Sequence, residues 1–421
     1  MSRRIVLHAA AAIAVAGLAV QAAAASPGKH ANPKKQHVAT TSHKLAPNHL
    51  LVGINDEPDT LYGDPASAFK LLKTLRVQVL RVDLYWGGNK WAVANSKPLD
   101  GTDPGDPAYH WALYDRLVRY AASNNIKVVF SILFTPGWAN GGKAKTVPPT
   151  NPQDLQDFAY AAAARYSGYW TPPAWQQQPT LAPAGSRLPA VTMWTAWNEP
   201  NNPIWLSPQY KRVHGKWVIE SAIQYAKICN AIYAGVHAVL ISPEKGAPPG
   251  EQVACGVTGP KGNDAPKSRR PSVDPLSFLT AAHKAGMGPF DIYAHHPYPD
   301  LGSQPPKYVP KGKDKRRIEL GNWGVLQKLV TKYYGKKHFW ITEYGYQTNP
   351  PDKLFGTSYK NQALYMKQAW LIARKNPRID MFLWFLVHDE ANVKIGWQSG
   401  LTTARGKRKP AFKTFRSLPR G

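Results

Sequence analysis

Two carboxylates in this chain stand where the sequence makes chemistry easy to place. Glu199 closes an apolar, strand-favouring run, Val191 to Trp197, and sits between Asn198 and Pro200, whose missing N–H ends a ladder. Glu343 closes a second such run, His338-Phe-Trp-Ile-Thr342. Brought to one mouth, two carboxyl groups are the minimal apparatus for cleaving a bond between sugars. One donates a proton to the leaving oxygen while the other attacks or activates water, so one must be protonated and the other ionised. The plain alternative is a pair of buried strands that happen to end in Glu.

Neighbouring residues suit those two tasks. Asn198 offers donors and an acceptor to a sugar 2-hydroxyl, whose hydrogen bond strengthens in the transition state. Arg81 lies inside the run Val77 to Leu84, and a charged residue in a strand is seldom buried without a partner. An opposite charge within about 4–6 Å favours the ionised carboxylate, so Arg81 is expected to hold Glu343 charged. Tyr298, two residues after His296, is a phenolic donor for the same carboxylate. Trp384 offers a flat apolar face to a sugar ring. Trp138 and Trp397 serve either neighbouring sugars or core packing.

The elements that must position these groups follow a repeated strand, loop, helix order from His49 onward. Strand-like runs cover 50–57, 77–84, 126–133, 191–197, 238–242, 290–295, 338–342 and 379–387, the fifth being the weakest pattern. Helical spacing marks 66–75, 109–124, 152–166, 217–236, 275–286, 324–334 and 358–375 between them. Strands alternating with helices imply parallel pairing and right-handed crossovers, and eight strands close a (β/α)8 barrel. The expected class is therefore α/β, one barrel domain over residues 49–421. Every strand of such a barrel delivers its C-terminal end to the same face, so Glu199 and Glu343 meet despite their separation. There is no Gly-rich phosphate loop, and the reading calls for no cofactor.

Taken together, Trp197-Asn-Glu-Pro200, His296-Pro-Tyr298, Trp340-Ile-Thr-Glu-Tyr-Gly345 and the aromatic Trp384 resemble the retaining glycoside hydrolases of clan A, especially the family 5 and family 39 type. The resemblance runs from about His49 to Arg416 and includes Arg81, Thr135-Pro-Gly-Trp138 and a closing Gly400–Phe412 loop and helix. It implies Glu199 as general acid/base, Glu343 as nucleophile, Asn198 as the 2-hydroxyl partner, and Arg81, His296 and Tyr298 as supporting residues. One departure matters: Thr135-Pro136-Gly137 stands where many family 5 enzymes carry a histidine after the third strand. That favours the family 39 side and disfavours a cellulase. A barrel that binds carbohydrate without turnover is the alternative function. A metal-dependent hydrolase is a third, poorly served by the adjacent pair His295-His296 and the absence of HExxH.

Composition bounds the setting. Hydrophobic residues make up 43% of the 421, and 15 Trp, 20 Tyr and 12 Phe supply both core and flat ligand faces. Lys and Arg number 53 against 26 Asp and Glu, a formal charge of +27. Such a field attracts anionic surfaces and polymers, but no nucleic-acid motif accompanies it, and the cations are scattered or lie in Pro-rich loops such as Gly302 to Arg317. Arg3-Arg4, the apolar stretch Ile5 to Val20 and small residues before Ser26 have the form of a secretory signal, residues 1–25, which places the protein outside the cell. Residues 26–48 read as a basic, disordered tether suited to an anionic cell envelope. No run after the signal is long enough to span a membrane. Cys229 and Cys255 either form one disulfide or remain two buried thiols.

Overall fold

The computed structural model describes residues 50–239 and 250–420. The expected signal and tether, and Leu240 to Ser242 of the expected fifth strand, lie outside the described residues. Eight strands alternate with eight helices: β1 Leu51–Asn55, α1 Pro65–Thr74, β2 Val79–Tyr85, α2 Ala112–Ser123, β3 Lys127–Leu133, α3 Pro152–Arg165, β4 Met193–Ala196 and α4 Glu220–His237. The second half adds β5 Gln252–Thr258, α5 Pro275–Lys284, β6 Ile292–His295, α6 Trp323–Tyr334, β7 His338–Tyr344, α7 Tyr359–Lys375, β8 Ile379–Phe385 and α8 Pro410–Ser417. The strands are parallel and close in the order β1-β8-β7-β6-β5-β4-β3-β2, a (β/α)8 barrel.

Helix starts are written locally. Asp64, Asn151, Asp274 and Ser358 each accept backbone N–H groups at the N-terminus of a helix, and Pro65, Pro152 and Pro275 follow three of them at the first position. Such caps satisfy donors that the helix itself leaves unpaired, each worth about 1 kcal/mol. The core then divides by strand parity. Val79, Val129, Met193, Trp340, Met381 and Leu383 point into the barrel, whereas Ile54, Leu80, Val82, Phe130, Trp194 and Phe382 point out against the helices.

The fifth strand is a correction. Ala238, where the expected run begins, has helical backbone angles and donates its N–H back to Ala234, so it caps the C-terminus of helix α4 instead of opening a strand. The real strand, Gln252–Thr258, escaped the pattern because Gly256 interrupts its β-branched character. Gly256 has φ +88°, and a Cβ there would lie 2.5 Å from the ring of Tyr293 on β6. The expected helix from Trp217 is corrected too. Residues Lys211–Val213 and Lys216–Val218 form an antiparallel hairpin, turned by His214 and Gly215, both at positive φ, the geometry of a tight hairpin loop. Cys229 on α4 and Cys255 on β5 are joined by a disulfide, which resolves the sequence alternatives in favour of the bond. No helix among the described residues is long and apolar enough to cross a membrane.

One carboxylate is placed against its charge. Glu251, immediately before β5, is buried and accepts a hydrogen bond from Trp194 Nε1 at 2.6 Å. Burial outweighs that bond and pushes its carboxyl up to about 8 from an ordinary 4.5. Between those values the folded chain holds a proton that the unfolded chain has released, so stability falls as pH rises from about 4.5 to about 8. Glu251→Gln keeps an acceptor for Trp194 and removes the titration. Its melting temperature, followed across that range, is expected to exceed that of the parent at the alkaline end and to converge with it at the acid end.

Candidate active site

Strand parity also builds the mouth. Above the apolar layer, the inward positions become polar: Asn55 on β1, Arg81 and Asp83 on β2, Ser131 on β3, Thr195 on β4 and Thr342 on β7. Arg81 is fully buried and divides its guanidinium among four groups. Its Nε donates to Ser131 Oγ at 2.7 Å, which also receives Thr195 Oγ1 at 2.6 Å. One terminal nitrogen donates to Glu343 Oε1. The other donates to Asn198 Oδ1 at 2.8 Å and lies 3.5 Å from Asp83. A single side chain thus connects β2, β3, the end of β4 and β7.

Glu343 reaches this point through an irregularity. From Phe382 to Trp384 on β8, the partners on β7 run from Ile341 to Tyr344, so β7 carries one extra residue. Such a bulge re-aims side chains, and here it lets Thr342 and Glu343 both serve the mouth. Asn55 Nδ2 donates to Glu343 Oε1 at 3.3 Å and Tyr298 OH to Oε2 at 3.0 Å. Burial raises the Glu343 carboxyl, but His296, the Arg81 charge and the hydrogen bonds from Arg81 and Tyr298 together hold it below the usual value. Tyr298 responds in reverse: burial, then the Glu343 charge, keep its phenol well above the usual range.

Glu199 follows a contorted strand end. Trp197 has φ +69° and Glu199 φ +34°, conformations that cost a non-glycine residue roughly 1–3 kcal/mol each. Ladder bonds hold the turn: Trp197 N–H donates to Ile132 at 3.0 Å and Glu199 N–H to Val257 at 2.9 Å. His296 Nδ1 lies 3.2 Å from Glu199 Oε1 and 3.7 Å from Glu343 Oε2, while its Nε2 lies 2.9 Å from Thr342 Oγ1. Asn202 Nδ2 donates to Glu199 Oε2 at 3.4 Å. Both carboxylates remain partly open, 16% and 14% exposed in their side chains, enough for a ligand to reach them.

The structure brings together Glu199, Glu343, Arg81, Asn198, His296 and Tyr298, and separates the tryptophans. Trp384 is a correction: it faces outward, fully buried, with its Nε1 donating to Ser399 at 2.9 Å. Phe385 takes the inward position instead, beside Asn55 in the ladder. Trp138 lies in the loop after β3, edge-on to Trp86 at 5.7 Å and donating to the Ala94 carbonyl at 2.8 Å. Trp397 does stand at the mouth, stacked on Tyr298 at 6.1 Å and edge-on to Phe385 at 5.7 Å. Sequence reasoning misses Asn55, Thr342 and Phe385, although a polar residue closing the first strand-like run is a readable signal for Asn55. It also takes Asp56-Glu57 for a plain turn. Glu57 accepts the Asp83 N–H at 2.8 Å and the hydroxyls of Tyr62 and Tyr85 at 2.8 and 2.9 Å.

One ligand atom each from Glu199, His296 and Glu343 lie within 4.8 Å of one another, a spacing that can hold a metal ion. The donor set argues against it, because Glu343 is already paired with the fixed positive charge of Arg81, which opposes a second cation.

No family model matches the sequence, and no curated protein matches it. Solved structures do share the fold. A family 39 glycoside hydrolase from Bacteroides cellulosilyticus WH2 aligns over 88% of this chain and 63% of its own, with 18% identity and TM-score 0.57. A glucosidase from Croceicoccus marinus aligns over 88% and 65%, with 15% identity and TM-score 0.60. A β-glucosidase from Exiguobacterium marinum aligns over 87% and 96%, with 13% identity and TM-score 0.53. This chain therefore spans less than two thirds of the first two. What it shares with all three is the (β/α)8 barrel.

Proposed function

We propose that this protein is a secreted retaining glycoside hydrolase acting on a poly- or oligosaccharide through a covalent glycosyl-enzyme intermediate. The observation that carries the reading is the pairing of Glu343, held ionised among Arg81, His296 and Tyr298, with Glu199, whose oxygen comes within 4.8 Å of it. Retaining enzymes keep their carboxyl groups about 5–5.5 Å apart, whereas inverting ones leave about 6.5–9.5 Å for a water. In the first step Glu343 attacks the sugar carbon as the leaving oxygen takes a proton from Glu199. In the second, Glu199 takes a proton from water as that water displaces Glu343. Asn198, its Oδ1 committed to Arg81, offers Nδ2 to the sugar 2-hydroxyl. Trp397 and Phe385 present rings to the sugar. The fold shared with proteins described as a family 39 glycoside hydrolase and as glucosidases supports the same class.

Export rests on the form of residues 1–25 and is supported by the Cys229–Cys255 disulfide, a bond that persists in oxidising compartments. Residues 26–48 then act as a basic tether toward an anionic envelope. Binding without turnover is the competing reading. It predicts carbohydrate affinity that survives Glu343→Gln and an absence of hydrolysis in the parent.

Glu199→Ala is expected to slow hydrolysis of a substrate with a poor leaving group by about 10²–10⁴-fold. On an activated aryl glycoside, azide is expected to restore turnover as a β-glycosyl or α-glycosyl azide of retained configuration. No azide product would argue against the assignment. Arg81→Met is expected to lower kcat/KM by about 10²-fold or more. It should also move the acid limb of the pH profile upward, because burial of Glu343 is then less opposed and protonation removes the nucleophile at higher pH. An unmoved limb would place Arg81 outside the control of Glu343. A Cβ on Gly259 would lie 2.9 Å from Glu199 Cδ, so Gly259→Ala is expected to displace that carboxylate and lower kcat at an unchanged melting temperature.

A further inference from the structure

Cations gather at one part of the barrel mouth, in the loops that follow three neighbouring strands. β4, β5 and β6 are neighbours in the closed sheet, and β8, β1 and β2 are neighbours on the opposite arc. Asp56, Glu57 and Asp59 follow β1 and Asp83 lies in β2, while the loop after β8 mixes Asp389 and Glu390 with Lys394, Arg405, Lys407, Arg408 and Lys409. Four of these acids, Asp56, Asp59, Asp389 and Glu390, line an open cavity of about 650 Å³.

The loops after β4, β5 and β6 carry exposed cations in surplus. Residues 200–219, after Glu199, carry Lys211, Arg212 and Lys216 and no Asp or Glu. Residues 259–274, after β5, carry Lys261, Lys267, Arg269 and Arg270 against Asp264 and Asp274. Residues 307–317, after β6, carry six cations against Asp314 alone. The hairpin cations, Arg269, Arg270, Lys313 and Lys315 are exposed, and none forms an ion pair with a described carboxylate.

Other charges in the same loops hold them together. Asp300 pairs with Lys261 at 2.5 Å and Arg317 at 2.8 Å, joining the β5 and β6 loops. Arg316 pairs with Asp274 at 2.9 Å across the same two loops. Tyr210 OH reaches Asp264 at 3.5 Å, tying the hairpin segment to the β5 loop. The exposed cations therefore ride on a braced surface.

Aromatic rings are interleaved with them, beginning beside the catalytic pair. Trp205 stacks on Phe134 at 5.7 Å, and its carbonyl accepts Trp197 Nε1 at 2.8 Å, two residues before Glu199. Trp217 is 42% exposed on the hairpin, with the Arg212 guanidinium 5.8 Å over its ring. Flat rings suit sugar faces, and spaced cations on long stems suit single anionic groups repeated along a chain.

We propose that the rim formed by the loops after β4, β5 and β6 binds an anion-bearing polysaccharide and leads it into the cleft on the Glu199 side. The inference rests on the hydrolase reading for its substrate role, but its binding test stands apart from turnover. The full chain carrying Glu343→Gln, which suspends hydrolysis, is titrated at low and raised salt with polygalacturonate and with the same polymer after carboxyl reduction. Lys211→Glu, Arg212→Glu, Arg269→Glu and Arg270→Glu are combined in one variant. An equal charge change on helices α6 and α7, Lys328→Glu, Lys332→Glu, Lys367→Glu and Lys375→Glu, forms the control.

The expected result is a loss of about tenfold or more in affinity for polygalacturonate in the rim variant and about twofold or less in the control. Binding should weaken with salt and with carboxyl reduction, and melting temperatures should stay close to the parent's. Equal losses in both variants would reduce the effect to net charge and overturn the proposal. So would an absence of preference for the charged polymer, or tighter retention of duplex DNA through the same four residues. A parent that binds the polymer yet never turns over any aryl glycoside sinks the hydrolase reading and leaves the rim assignment standing.

Discussion

A guanidinium buried in the mouth of a barrel is the constraint from which the rest of this site follows. Removing Arg81 from water costs several kcal/mol unless nearly every donor is met. Glu343, Asn198 and Ser131 meet them, with Asp83 close by. The neutralisation is mutual: the carboxylates of Glu343 and Asp83 raise the hold of Arg81 on its proton against the opposing effect of burial. Glu343 in turn stays ionised in a place where burial alone would protonate it. Asp83, which lacks so close a contact, is held well above the usual range by burial and then by Glu57.

Backbone strain and packing serve the same arrangement. The positive φ angles of Trp197 and Glu199 persist because flanking strands fix both N–H groups and Gly259 leaves space against the Glu199 carboxylate. The bulge in β7 performs for Glu343 what that turn performs for Glu199. In both cases a departure from regular strand geometry turns a side chain toward the mouth.

Much of this is legible in the sequence because carboxylates, amides and arginine at strand ends are rare enough to stand out. Glu199, Glu343, Arg81, Asn198 and Tyr298 can be read from type and position, and the structure brings them together. The errors share a cause. Trp384 reads as a mouth residue because it lies near the end of a strand, but successive residues face opposite ways, and its neighbour Phe385 holds the inward position. Which of the two faces inward is decided by the pairing in the barrel, which the run itself does not contain. The fifth strand escapes for a related reason: Gly256 is there for the ring of Tyr293, a neighbour that the local pattern does not contain.

The closed order of the strands sets when such a site can exist at all. Asn55 and Glu343, which share a hydrogen bond, are 288 residues apart, and Arg81 and Glu343 are separated by 262. Closing loops of that size costs entropy before any contact returns it. A nascent chain that has emerged only as far as β7 already contains both carboxylates, yet lacks the strand that seats β1 beside them. The candidate site therefore cannot be complete before β8 joins the sheet, and a growing or truncated chain carries its glutamates without the surroundings that make them a pair.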